Sequence, residues 1–251
     1  MPRIISFRPA AACALVLFIS AWAAVPALGK GFDAELRVVG KGGKVLAEKT
    51  VRTGKASLKA SPAADCFGTG TGGSGKPLAI RPNTALGLLA RAAQSTPTLR
   101  PLRITDAFDF GLGICGIGSS TAGGSASWYL KVNHKALAVG GDAATIRPGD
   151  EVLWALAVTE PPSFAYPDEL ALTAPRSVTA GKPFTVRVFA YDEKGRRRPQ
   201  AGATVTGATG PTGADGRATV RLTKPRRLIA RHADGIPSNR VAVCVGGKCP
   251  R

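Results

Sequence analysis

The sequence predicts a mainly β chain in two parts: an α+β first domain holding one helix, then a small antiparallel β-sandwich. Three observations predict it. Gly and Pro supply 31 and 19 of the 251 residues, about a fifth against roughly 12% in average usage, which disfavours helix-rich architectures. Apolar residues recur at period two in short runs bounded by turn signals. Only one stretch after the N-terminal region, running to about Gln94, holds a helical period.

Arg3 and Arg8 precede the apolar run 10–25, which ends in Pro26-Ala27-Leu28-Gly29. That is the pattern of a secretory signal over residues 1–29, with a mature start near Lys30. At 16 residues the run is short of the ~20 needed to span a bilayer, and no later stretch approaches that length, so no transmembrane segment is expected after processing. In the first domain, 30–158, Ala34 to Val39 and Lys44 to Thr53 alternate as strands around Gly42-Gly43. Asn83 or Thr84 caps a helix in which Leu86, Leu89, Ala90 and Ala93 repeat on one face. Further strands are expected at 102–105, 127–132 and 151–158, the last entered through the turn Arg147-Pro148-Gly149-Asp150. Trp128, Leu130 and Val132 share one face, as do Val152, Trp154 and Leu156, and the plainest role for both tryptophans is core.

Residues 159–168 (TEPPSFAYPD) carry three prolines and are expected to form an exposed linker that few contacts cross. The second domain, 169–251, holds short strands at 169–173, 183–191, 203–206, 217–222, 226–232 and 239–245. Their regular spacing, with turn residues between them, suits an antiparallel sandwich.

Cys13 leaves with the signal, and four cysteines in an oxidising compartment favour two disulfides over metal ligation. In Cys244-Val-Gly-Gly-Lys-Cys249 the Gly-Gly pair suits a two-residue type I′ turn, making Val245 and Lys248 the hydrogen-bonded pair. Cys244 and Cys249 then face each other ~4.5 to 5.5 Å apart, within disulfide reach. Cys66 and Cys115 pair by elimination.

The chain carries 34 Lys and Arg against 16 Asp and Glu. Residues 30–166 hold 16 basic and 10 acidic groups, and 167–251 hold 16 and 6, so the excess is concentrated in the second part. Such a surface is drawn to anionic cell-surface polymers, lipid headgroups or extracellular nucleic acid, with strong salt dependence, although a GC-rich genome and solubility explain the same composition. Arg196-Arg197-Arg198, the densest run, has no interleaved aromatics and so does not suit nucleic-acid stacking. Two histidines and one methionine starve most His-based acid–base and metal chemistry.

The near match Gly70 to Pro77 to a phosphate-binding loop puts Pro77 where a hydroxyl must reach Mg²⁺. Gly111 to Gly116 matches G-x-G-x-x-G, but no helical period follows it. Nucleotide binding is not expected, nor is any cofactor or metal. Gly207 to Gly216 imitates collagen triplets in too short a run, and a glycine-rich hairpin loop explains it better.

Three stretches, Thr84-Ala-Leu-Gly-Leu-Leu-Ala90, Trp128-Tyr-Leu-Lys-Val-Asn133 and Arg147-Pro-Gly-Asp-Glu-Val-Leu-Trp154, resemble the C-terminal domain family of transcobalamin-like proteins. The resemblance covers about residues 32–158 and implies a β-grasp-like fold. Asn133-His134 departs from the family's usual Asn-Gly and puts a positive φ at position 134 in question. Thr179-Ala-Gly-Lys-Pro-Phe-Thr-Val186 and 212–220 resemble hairpins of bacterial immunoglobulin-like domains, which act as spacers or adhesive units. Transcobalamin proper encloses its corrinoid with a large helical domain that this chain could not build, so corrinoid binding does not transfer with the fold.

In a β-grasp sheet the helix covers one face, so recognition falls to the other. By parity Tyr129 and Lys131 point there, and the adjoining turn adds Asn133 and His134, a set that suits a small polar or anionic ligand. The competing reading has Tyr129 packed under the 66–77 loop and the others solvated, with His134 a surface residue, a structural donor or a ligand contact. The function expected is a secreted, non-catalytic binding or cell-surface interaction protein. The alternative is an extracellular small-molecule carrier, corrinoids included.

Overall fold

The first strand pair already sets the pattern of the fold. β1 (Asp33–Gly40) turns through Gly42 and Gly43, at φ 64° and 69°, into antiparallel β2 (Lys44–Arg52). This is a computed structural model that describes residues 31–250; the signal reading of 1–29, Cys13 included, lies outside the described residues. Helix α1 (Ala85–Ser95) follows a long irregular segment. Its cap is Thr84, whose Oγ1 accepts from the Gly87 amide at 3.1 Å, satisfying one of the amides a helix start leaves open. Leu86, Leu88, Leu89, Ala92 and Ala93 lie on its buried face.

A small sheet of β3 (Leu102–Thr105), β4 (Gly113–Ile117) and β5 (Ser120–Thr121) comes next. β4 is the longest of the strands that the sequence analysis did not anticipate, and its Ile114, Cys115 and Ile117 are buried. The G-x-G-x-x-G glycines therefore run into a strand and not a helix. β6 (Ala126–Val132), β7 (Lys135–Ala136) and β8 (Glu151–Val158) complete the main sheet, ordered β2-β1-β8-β6-β7 with β1 and β8 parallel. Leu36, Val38, Leu130, Val152 and Trp154 pack beneath α1 in one apolar cluster, with Trp128 and Val132 at its edge. Trp154 is thus a core residue and Trp128 packs against the edge of that core, both on the helix side.

The second lobe begins with β9 (Asp168–Thr173) and β10 (Ser177–Val178). β11 (Pro183–Tyr191) then pairs with β9, with β12 (Arg197–Pro199) and, farther along, with β14 (Arg217–Arg221). Asp192 Oδ1 accepts from the Lys194 and Arg196 amides at 2.9 Å each, closing the β11–β12 hairpin. β13 (Thr204–Val205) pairs with β16 (Ala230–Arg231). β17 (Gly235–Ile236) lies parallel to β9, and β18 (Val241–Val245) bridges β10 and β15 (Arg226–Leu228). Val186, Val188, Ala218, Val220, Leu228 and Val243 form this lobe's core.

Cys66 is joined to Cys115 and Cys244 to Cys249. Val245 and Lys248 exchange hydrogen bonds of 2.8 and 3.1 Å across Gly246-Gly247, both at positive φ, so the turn geometry that the spacing predicts is what closes the shorter loop. No helix among the described residues is long and apolar enough to cross a membrane.

Candidate functional site

Side chains alternate across a strand, so the sheet face away from α1 carries Arg37 and Val39 from β1, Leu153, Ala155 and Ala157 from β8, and Tyr129 and Lys131 from β6. The parity assigned to Tyr129 and Lys131 is therefore the one observed. The face is not open, however. The second lobe lies on it, and Val39, Tyr129, Leu153, Ala155, Ala157 and Ile236 form a buried cluster with Tyr166 packed against it. Residues 31–250 fall within one compact unit.

Three charged groups meet at the centre of this junction. Glu169 of β9, only 2% exposed, takes the Arg37 guanidinium on Oε1 and lies 3.4 Å from the Lys131 ammonium on Oε2. Lys131, fully buried, also donates to the Tyr191 and Asp192 carbonyls at 3.0 Å each. Arg37 donates from Nη1 to the Pro237 carbonyl at 2.6 Å. Removing such charges from water is costly, and only this density of partners offsets it. Burial opposes ionisation of Glu169, but the His134 imidazole and the charges of Arg37 and Lys131 outweigh it and hold its pKa below the usual carboxylate range. For Lys131 burial prevails over Glu169, and its pKa is lowered.

His134 closes the edge of the junction. Asn133 and His134 sit at φ 50° and 67°, the pair of left-handed residues a type I′ hairpin requires, and a histidine there is strained where glycine would be free. Its ring stacks on Tyr191 with centroids 3.9 Å apart. Nδ1 lies 3.1 Å from Glu169 Oε1 and Nε2 3.5 Å from Glu151 Oε2. Asn133 faces elsewhere: its amide holds Asp150 at 2.9 Å, and its Oδ1 accepts from the Glu151 amide, so it ties two turns together.

Tyr129 stacks on Tyr166 at 4.1 Å, nearly coplanar. It does not pack under the 66–77 loop, and its partner comes from the proline-bearing segment. Burial, with Glu193 next in weight, pushes its phenol well above the ordinary value, and its buried hydroxyl has no hydrogen-bond partner. Residues 160–165 are exposed, as expected of a linker, while Tyr166 packs against the junction. The four residues Tyr129, Lys131, Asn133 and His134 are neighbours, but three of them serve the junction between lobes and the fourth a turn.

Arg37 and Glu169 escaped the sequence reading because a charge at an alternate strand position reads as solvent-facing. Their one signal is opposite sign on two strands of matching parity. Two crevices flank the junction. One, of about 420 Å³, is lined by Arg37, Glu48, His134, Glu151, Glu169 and Tyr191 among others. The other, of about 800 Å³, reaches from Val39 and Ala155 to Tyr166, His232 and Ile236. Among the described residues no group of three or more His, Cys, Asp or Glu side chains converges as a metal site. No protein-family model, curated protein or solved structure matches this chain.

Proposed function

We propose that this chain is a secreted, non-catalytic protein that acts by binding at a cell surface, with a signal peptide over 1–29, a β-grasp-like lobe over 30–158 and an immunoglobulin-like lobe over 169–251. The order β2-β1-β8-β6, with a central parallel pair and α1 across one face, supports the β-grasp-like reading. The pairings of β11 with β9, β12 and β14, packed over β10, β18 and β15, support the sandwich. The two disulfides support export to an oxidising compartment.

One observation carries the non-catalytic reading. The titratable groups that the fold gathers, Arg37, Lys131, Glu169 and His134, are engaged with one another, with backbone carbonyls and with the Tyr191 ring, which is how a structural charge cluster is built and not how an acid–base pair is presented to substrate. Export and attachment are tested together by fractionating a native culture. The chain should be absent from the cytoplasm, begin near Lys30 by N-terminal sequencing, and be released from washed cells by rising salt. A cytoplasmic chain with free thiols overturns the reading.

A carrier of small molecules, corrinoids included, is the second reading, and the interlobe crevice of about 800 Å³ favours it, since such volumes suit small ligands. Equilibrium dialysis against cobalamin and against culture extract decides it.

A further inference from the structure

The outward face of β11, β12 and β14 gathers four arginines with few acidic neighbours. Even-numbered residues of β11 and β14, Val186, Val188, Ala218 and Val220, face the core. The odd-numbered ones face away from that core: Tyr191 meets His134 at the junction, and Arg187, Arg217 and Arg221 lie beyond it. Arg187 and Arg217 are direct cross-strand partners, a like-charge pairing that destabilises a sheet. Arg197 joins them from β12: its guanidinium lies 4.5 Å from the Phe189 ring centroid and that of Arg187 lies 4.7 Å from it. Opposing charge is sparse. Asp215 approaches Arg217 at 3.5 Å where both are more than half exposed, while Arg221 rests on the Gly181 carbonyl at 2.8 Å. A shallow groove of about 470 Å³, lined by Thr173, Thr185, Arg187 and Arg217 among others, runs beside the pair.

We infer that this face binds a linear polymer of phosphate groups, an inference that rests on the surface-binding function proposed above and names its partner. Strand geometry supplies the spacing, with same-face neighbours ~7 Å apart along a strand and ~4.8 Å apart across strands. Guanidiniums and threonine hydroxyls spaced in this way meet successive phosphate oxygens, and the planar fork of Arg suits them better than the ammonium of Lys. The same face argues against two other polyanions. Phe189 is 8% exposed beneath its two guanidiniums and the Tyr191 ring is taken by His134, leaving no ring on which a nucleobase can stack. The large exposed apolar side chains, Phe67, Phe110, Val139, Val158 and Phe164, all lie off this face, so nothing on it inserts into a bilayer.

The test uses the disulfide-intact chain and inorganic polyphosphate, measured by fluorescence anisotropy across a salt series. The variant R197Q/R217Q/R221Q is compared with K55Q/K59Q/K76Q, which removes the same charge from exposed positions of the first lobe. Circular dichroism and thermal melts establish that both fold. With a slope of about 0.7 per phosphate contact, three lost contacts make the salt dependence shallower by about 2 and weaken binding on the order of 100-fold at 0.1 M salt. The lysine variant should lose less than about 3-fold.

Equal losses in the two variants overturn the site, and no binding of polyphosphate overturns the partner class. Tighter binding to single-stranded DNA or to anionic vesicles than to polyphosphate, at equal charge concentration, also overturns it. Cell retention separates this inference from the function beneath it. Polyphosphate binding through the face in a chain that cells do not retain defeats the surface function alone, and retention equal in both variants defeats the face alone.

Discussion

The main sheet of the first lobe is covered on both faces, by helix α1 on one and by the second lobe on the other, and the two coverings are chemically unlike. Under α1 the contact is apolar throughout: Leu36, Val38, Leu130, Val152 and Trp154 against Leu86, Leu88 and Leu89. Under the second lobe an apolar rim surrounds Arg37, Lys131 and Glu169. The apolar face is held by many small, non-directional contributions, each tolerant of its neighbour's loss. The charged face is held by a set in which every member depends on the others, because a buried charge deprived of its partner cannot recover its hydration.

The largest effect should come from breaking that set. Glu169→Ala removes the carboxylate that both Arg37 and Lys131 face, leaving Lys131 buried without its ion pair and Arg37 with only the more distant Glu48, and should cost about 3–5 kcal/mol in urea unfolding. Replacing all three together, Arg37→Met, Lys131→Met and Glu169→Leu, should restore most of the loss, since apolar side chains of similar volume fill the space without a desolvation cost. A triple variant less stable than Glu169→Ala would show that the charges act independently. Leu89→Ala, on the helix face, should cost roughly 2–5 kcal/mol through lost burial and the cavity left behind. There a second apolar deletion should deepen the loss and never relieve it.

Acid sharpens the contrast, because only the charged face titrates. The Glu169 pKa is lower in the folded state than its unfolded value near 4.3, so its stabilisation is fully present above that value and is lost as pH falls through the folded one. Glu48 acts in the opposite sense. Burial, opposed by the Arg240 amide and the charges of Arg37 and Arg240, raises its pKa, so its contribution is present in acid and fades as pH rises through the raised value. In urea melts from about pH 2 to 7, Glu169→Gln should flatten the acid-side loss of stability, and Glu48→Gln should remove an opposing slope above about pH 4.3. An unchanged acid limb in Glu169→Gln would place the titrating group elsewhere.

The smallest effect is expected at Tyr129, on the apolar rim of the charged face. Its hydroxyl is buried without a partner, so Tyr129→Phe removes a desolvated group while leaving the stack on Tyr166 intact. Stability should stay level or rise by up to about 1 kcal/mol. A loss beyond about 1 kcal/mol would mean that the hydroxyl is engaged at the junction.

Much of the framework was legible in the residues themselves because it depends on neighbours along the chain. Helix α1 with its cap narrowed to Asn83 or Thr84, the period-two strands β1, β2, β6, β8 and β11, and the Gly-Gly turn beneath Cys244 and Cys249 all follow from local dihedral and spacing rules. The parity of Tyr129 and Lys131 followed in the same way. β4 did not, since its burial comes from β3 and from the Cys66 tether, which local glycine content conceals. The left-handed His134 was also illegible, because stacking on Tyr191 and contact with Glu169 hold it in a conformation that its own preferences resist.

What the sequence determined by itself is therefore the set of elements and which side chains share a face, since backbone sterics and side-chain period act over a few residues. Only the tertiary structure decided that the face carrying Tyr129 and Lys131 is closed, that Arg37 meets Glu169 across 132 residues of chain, and that the arginines of β11, β12 and β14 lie together on an outer surface. Pairing between distant strands depends on how two sheets far apart in sequence meet, and a charge at an alternating position has the same local pattern whether water or an opposite charge is waiting for it.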